Sequence, residues 1–254
     1  MTMTGEYREA AQVEETREVI CEKHGAYMSE KFKLYGQIEW SDCAKCELER
    51  EAEAKAAEAS EKQARMMKYA GVPQRFLAKG LEHYRTESQG QQIALLNAKA
   101  YSDNFAEHRA LGRCLLFVGR PGTGKTHLAV GILKRAIASG FTAKYVRAFE
   151  LIEAIRATWR RDADRTEAEV LADYTKVDLL ILDEVGVAYG KEAETVELFK
   201  VLDTRYLDVK PSLILSNVSR DELQKYLGER ALDRLREGGG KVVAFDWESE
   251  RSAV

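Results

Sequence analysis

The chain has 254 residues, with 39 basic against 42 acidic side chains and a net charge of −3. So even a balance excludes a wholly basic nucleic-acid coat protein but leaves room for a local basic groove. No run approaches roughly 18 uninterrupted apolar residues and the stretch from Met1 to Glu15 is polar and acidic, so neither a membrane span nor a signal peptide is expected and the expected location is the cytoplasm.

The first informative feature is Cys21-Glu-Lys-His24 followed by Cys43-Ala-Lys-Cys46. In a reducing compartment, three soft thiolates and one imidazole at this spacing suit tetrahedral Zn²⁺ rather than disulfides. Gly25 and Gly36 lie between the pairs, with Phe32, Leu34, Tyr35 and Trp40 as a small apolar set. A unit this small buries too little surface to fold by itself, so the metal supplies the missing stability. From Glu47 to Ala70 the composition shifts to Ala, Glu, Lys, Arg and Met without Gly or Pro. That predicts a solvated helical connector, ended by Gly71-Val-Pro73. Gln91 to His108 carries Ile93, Leu95, Leu96, Ala98, Tyr101 and Phe105 near helical spacing and is expected to pack on the sheet that follows.

Leu115 to Val118 reads as a buried parallel strand, and Cys114 as a packing residue beside it. The strand runs into Gly119-Arg-Pro121-Gly122-Thr123-Gly124-Lys125-Thr126, with His127 counted in the same loop. Glycines let backbone N–H groups close around phosphate oxygens. Lys125 brings charge to the β- and γ-phosphates of ATP, and the Thr126 hydroxyl is placed for Mg²⁺. Leu128 to Ala138 is the following helix, its N-terminal dipole facing the same phosphates.

Thr142 to Ala148 reads as a strand, and Phe149 to Trp159 and Thr166 to Tyr174 as helices. Trp159-Arg160-Arg161, with Lys144, Tyr145 and Arg147, mixes aromatic surface and positive charge in the manner of single-strand binders; a solvated loop is the equal alternative. Val177 to Leu182 is an apolar strand ending in Asp183-Glu184. Asp183 is placed for the Mg²⁺ shell, and Glu184 for polarising a water that attacks the γ-phosphate. Glu192 to Val209 is an amphipathic helix, and Ser212 to Ser216 a strand that sets the Asn217 amide beside the γ-phosphate. Short helices at Asp221 to Leu227 and Ala231 to Arg236 precede a last strand, Lys241 to Phe245. The alternation predicts an α/β fold with a parallel five-stranded sheet and flanking helices.

These stretches, together with Ala70 to Phe76, Leu227-Gly-Glu-Arg-Ala-Leu-Asp-Arg-Leu-Arg236 and the ending Phe245 to Val254, resemble the AAA+ (ASCE-class) P-loop ATPases of the DnaC-type helicase loaders and their IstB-type relatives. The resemblance covers the chain from about residue 70 onward and implies a first-sensor role for Asn217. It also implies that Arg230 reaches the γ-phosphate bound by a neighbouring subunit, with Arg234 as its companion. The organisation expected is a zinc-binding, helicase-interacting module over 1–48, a helical connector over 49–70 and an AAA+ ATPase domain over 71–254. Partners implied are a DnaB-like replicative helicase, single-stranded DNA and further copies of the chain through the ATPase domain, with no membrane. The competing function is an IstB-type transposition ATPase that binds duplex DNA and regulates a transposase. The separate metal-bearing arm favours the loader.

Overall fold

The computed structural model describes residues 13–34, 37–186 and 192–250. Tyr35, Gly36, most of the polar start and Arg251 to Val254 lie outside the described residues, as does the side chain of Leu34. The chain divides into two compact units, Met1–Lys62 and Gln63–Val254.

The first unit holds three antiparallel strands, β1 (Val13–Cys21), β2 (Gly25–Leu34) and β3 (Gln37–Trp40), where the sequence pattern indicates a metal-binding module without naming its strands. Alternating Thr, Val, Ile, Tyr and Phe favour the extended chain, and Cys21 pairs with Gly25 across a tight turn whose glycine has φ of 80°. Its interior is slight. Among the described residues, Phe32 and Cys43 are its buried apolar side chains, joined by Ser29, whose hydroxyl donates to the Ser41 carbonyl at 2.7 Å. Helix α1 (Ala44–Tyr69) starts just after Cys43 and buries none of its residues, as its charged composition predicts.

The second unit is a parallel sheet with strand order β5-β6-β7-β4-β8. Its strands are β4 (Leu115–Gly119), β5 (Ala143–Arg147), β6 (Leu179–Asp183), β7 (Ser212–Ser216) and β8 (Lys241–Phe245). Strand alternation sends Leu115 and Phe117 to one face and Leu116 and Val118 to the other. The first face is covered by α2 (Gln89–Asp103), α3 (Phe105–Ala110) and α4 (Lys125–Ala138). The second is covered by α5 (Ala148–Ala157), α6 (Glu167–Thr175), α7 (Glu192–Leu207), α8 (Arg220–Leu227) and α9 (Glu229–Arg236). Each fully buried Leu or Phe in these layers contributes about 1.5–3 kcal/mol.

Two expectations change in detail. The helix after the phosphate loop begins at Lys125, not Leu128, so the loop's last residues are already its first turn. The stretch from Gln91 to His108 breaks at Asn104, and Ile93 and Leu96 point outward. Ala94, Ala98 and Tyr101 face the core instead.

Candidate active site and metal centre

Strands that all run one way end at one edge, and that edge gathers the loop after β4, the acidic pair after β6 and Asn217 after β7. Gly119 has φ of 129°, and a Cβ there would lie 2.2 Å from the Phe245 carbonyl. Thr123 is fully buried and its hydroxyl donates to the Arg120 carbonyl at 2.8 Å, so it shapes the loop from within. Arg120 and Pro121 form the exposed crest. The Lys125 ammonium donates to the carbonyls of Gly119 and Arg120 at 2.7 and 2.6 Å. It is held over the loop by neutral acceptors that an anionic phosphate outcompetes.

Thr126, in the first turn of α4, donates from its hydroxyl to Asp183 Oδ2 at 2.9 Å. A hydroxyl and a carboxylate brought together in this way are the hard oxygen donors that Mg²⁺ takes, so the residues present fit that ion. Tyr145 also donates to Asp183 Oδ2, at 2.6 Å, and Oδ1 accepts the Glu184 amide at 2.7 Å. Burial, and then the charge of Asp183, push the Tyr145 hydroxyl well up, so it remains a donor. Glu184 adopts φ of 60°, a left-handed conformation that costs a residue with a Cβ about 1–2 kcal/mol. Strain of that kind is typically held where it fixes the aim of a side chain.

His127 turns its Nε2 to the Gly80 carbonyl at 2.8 Å and sits edge-on to Tyr84, with ring centroids 5.5 Å apart. Burial pushes its pKa down, so the ring is neutral and seats the 71–84 segment on α4. Asn217 is exposed one residue past β7, where Ser216 is in register with Val118. On α9, Arg230 is exposed. Arg234 turns inward to an ion pair with Asp203, its guanidinium 5.0 Å from the Tyr206 ring.

The basic and aromatic residues, read equally as a single-strand-binding surface or a solvated loop, do not gather into one groove. Tyr145 is buried on Asp183, Lys144 lies over the rings of Tyr69 and Tyr174, and Arg147 is paired with Glu150. Trp159, Arg160 and Arg161 remain on the surface, the indole donating to Glu167 at 2.9 Å. Tyr145 pairs with Ile181 and lies two residues before Arg147, the register partner of Asp183, so its hydroxyl reaches along the shared face of the strands to Asp183.

In the first unit Cys21 ends β1, His24 lies in the turn, Cys43 precedes α1 and Cys46 is in its first turn. Their ligand atoms all lie within 4.8 Å of one another. Tetrahedral Zn–S bonds of about 2.3 Å and Zn–N bonds of about 2.0 Å place two sulfurs about 3.8 Å apart and sulfur and nitrogen about 3.5 Å apart. Cys21 and Cys46 sulfurs are 3.5 Å apart, and His24 Nδ1 stands 3.8, 3.7 and 3.3 Å from Cys21, Cys43 and Cys46. The donor set fits zinc. The Lys23 amide, ahead of the Cys46 thiol, holds Cys21 down at about 6, while the contact with Cys21, ahead of burial, pushes Cys46 up to about 11. Sulfurs crowded in this way cannot all ionise without a cation among them.

Spacing alone did not reveal Glu49, whose carboxylate lies 3.1 Å from His24 Nε2. A carboxylate only accepts, so Nε2 carries the proton and Nδ1 keeps its lone pair for the metal. Purified protein should contain close to one zinc per chain. Cys43→Ser/Cys46→Ser should lose it while nucleotide binding persists, because Lys125 belongs to the other unit; full zinc content in that variant, measured by elemental analysis, sinks the assignment.

Residues 36–251 match the family described as IstB-like ATP binding protein, a span that begins after Cys21 and His24. The chain is 36% identical over 173 residues to the replicative helicase loader DnaC of Escherichia coli strain K12, covering 68% of this chain and 69% of that protein. It is 32% identical over 193 residues to DnaC of Buchnera aphidicola subsp. Schizaphis graminum, covering 76% of this chain and 77% of that protein. Among solved structures, the DnaC helicase loader superposes with a TM-score of 0.61 at 25% identity, over 68% of this chain and 99% of that one. AMPPCP-bound DnaA from Aquifex aeolicus gives 0.57 at 26% identity, over 70% of this chain and 52% of that one.

Proposed function

Because this chain belongs to the IstB-like ATP-binding protein family, we propose that it is the ATPase that delivers a hexameric DnaB-like replicative helicase onto single-stranded DNA. The likeness to replicative helicase loaders along the ATPase core carries this reading. Lys125 leaves its loop carbonyls for the β- and γ-phosphates of ATP, and the loop amides take the remaining phosphate oxygens. Thr126 and Asp183 would hold Mg²⁺, which when bound would offset the charge on those oxygens. Tyr145 keeps Asp183 turned toward Thr126. Glu184, fixed by its strained backbone, accepts the proton of the attacking water. Asn217, level with Gly119 on the neighbouring strand, orients the γ-phosphate. Arg230 of one copy completes the site of the next by stabilising charge on the γ-phosphate oxygens, with Arg234 as the companion that fixes α9 through Asp203.

In the first unit Cys21, His24, Cys43 and Cys46 would hold Zn²⁺, which would supply the folding energy that the two buried apolar side chains among the described residues cannot. That unit contacts the helicase. Native mass spectrometry of the full chain mixed with the host's replicative helicase tests the assignment. A complex that forms with the wild type and is lost in Cys43→Ser/Cys46→Ser supports it. A chain that ignores the helicase but coats duplex DNA and stimulates a transposase belongs instead to the transposition branch of the family.

A further inference from the structure

The phosphate loop is gripped from outside by a segment that the ATPase reading does not use. After β8 the chain does not leave the sheet edge; residues 246–250 run back along the loop. The Phe245 carbonyl accepts the Arg120 amide at 2.8 Å, and the Glu250 amide donates to the Gly122 carbonyl at 3.1 Å. The Trp247 indole Nε1 donates to the Thr123 carbonyl at 3.2 Å, and the Tyr84 hydroxyl donates to the same oxygen at 3.0 Å.

The seat is closely fitted. A Cβ on Gly122 would lie 2.0 Å from Ser249 Oγ, and one on Gly90 would lie 2.9 Å from the Trp247 ring. The far end is pinned as well. Gln91, 4% exposed, accepts the amides of Glu87 and Ser88 at 2.7 Å each and donates its own amide to the Glu250 carboxylate.

These contacts have a consequence for anion binding. In a trans peptide the carbonyl and the following N–H point in opposite directions. Donors that hold the carbonyls of Gly122 and Thr123 outward therefore turn the N–H groups of Thr123 and Gly124 to the other side, where Lys125 and Thr126 begin α4. Loops that bind phosphate through backbone N–H groups depend on that orientation. We propose that the segment 246–250 is part of the nucleotide site, and that Trp247, the Glu250 amide and Tyr84 are positioning residues that preset the loop for the polyphosphate of a nucleoside di- or triphosphate. The proposal rests on the reading of Gly119 to Thr126 as the phosphate-binding loop.

The test is calorimetric titration of the full chain with MgADP, paired with melting temperatures with and without the nucleotide. Trp247→Phe keeps a ring on Phe245 and Gly90 but removes one donor; Trp247→Phe/Tyr84→Phe leaves the Thr123 carbonyl without either side-chain donor. The single variant should weaken MgADP several-fold and the double variant about tenfold or more, at about 1 kcal/mol per hydrogen bond. The melting temperature without nucleotide should move little, while the gain on adding MgADP shrinks. Lys125→Ala serves as the control. Unchanged MgADP affinity in the single and double variants, with Lys125→Ala losing binding, overturns the proposal alone. So does a fall in melting temperature with affinity retained, since the contacts are then only structural. Normal MgADP binding by Lys125→Ala overturns the phosphate-loop reading itself.

Discussion

Replacing Arg230 with alanine should leave ATP affinity close to wild type and lower turnover by about 10³-fold or more, the usual worth of an arginine supplied by a neighbouring subunit. Arg230 opens α9 and is exposed, whereas Leu232 and Leu235 on the same helix are buried and Arg234 is turned in on Asp203. The helix is thus anchored along one face and presents this guanidinium along another. Five donors and a permanent charge suit it to γ-phosphate oxygens in a second copy. A surface arginine paired only with Glu229 or Asp233 would change turnover by less than about threefold. Mixing separates the two. Arg230→Ala has an intact pocket and no finger, and Lys125→Ala has a finger and a damaged pocket. Co-assembled, they form some sites with both intact parts and should recover partial activity. No recovery, under conditions in which wild-type chains demonstrably assemble, rules out the shared site.

Arg205→Met should be the most damaging substitution for the second unit. Arg205 is fully buried in α7. Its guanidinium donates to the carbonyls of Tyr174, Thr175, Val177, Asp178 and Pro211 and to the Ser212 hydroxyl, at 2.6 to 3.2 Å. One side chain thereby ties the approaches to β6, which ends in Asp183, and to β7, which ends one residue before Asn217. Burial brings its pKa down to about 10, still high enough to keep the charge at neutral pH. Methionine fills much of the volume but removes the Arg205 donors from the carbonyls of Tyr174, Val177, Asp178 and Pro211, while Thr175 keeps the Lys210 ammonium at 3.1 Å. Each orphaned group costs about 1–3 kcal/mol, so even with relaxation the loss should reach about 3–5 kcal/mol, a large part of a domain's total stability. Denaturant unfolding of the two proteins measures it. A difference below about 1 kcal/mol means that water or rearranged loops satisfy these carbonyls.

The sheet and the phosphate site were legible because their signals are local. Leu115 to Val118 is apolar at every position, as a strand covered on both faces must be, and the glycine-rich run to Thr126 leaves that strand while Asp183-Glu184 closes another. Residues whose meaning depends on a distant partner were not. Arg205 sits on an amphipathic helix among charges, and nothing in α7 reveals that its acceptors come from the turns before β6 and β7. Tyr145 was grouped with cations near it in sequence, yet its partner, Asp183, lies on the adjacent strand. Glu49 is hidden in a Glu-rich helix, and only the turn geometry of Cys46 on α1 brings it to His24. The strands around Cys21 escaped notice because their alternating residues are mostly charged, leaving a weak apolar period.

Transfer of the helicase to DNA is the step that the proposed role requires. A circular single strand coated with single-strand-binding protein excludes a closed helicase ring, so the amount of DnaB-like helicase bound to it reports loading directly. With the wild-type chain and ATP, the helicase should accumulate on the coated circle; without the chain, without ATP, or with Lys125→Ala, it should not. Helicase that loads equally well in the absence of the chain, or that never loads in its presence while the two proteins bind each other, contradicts the account.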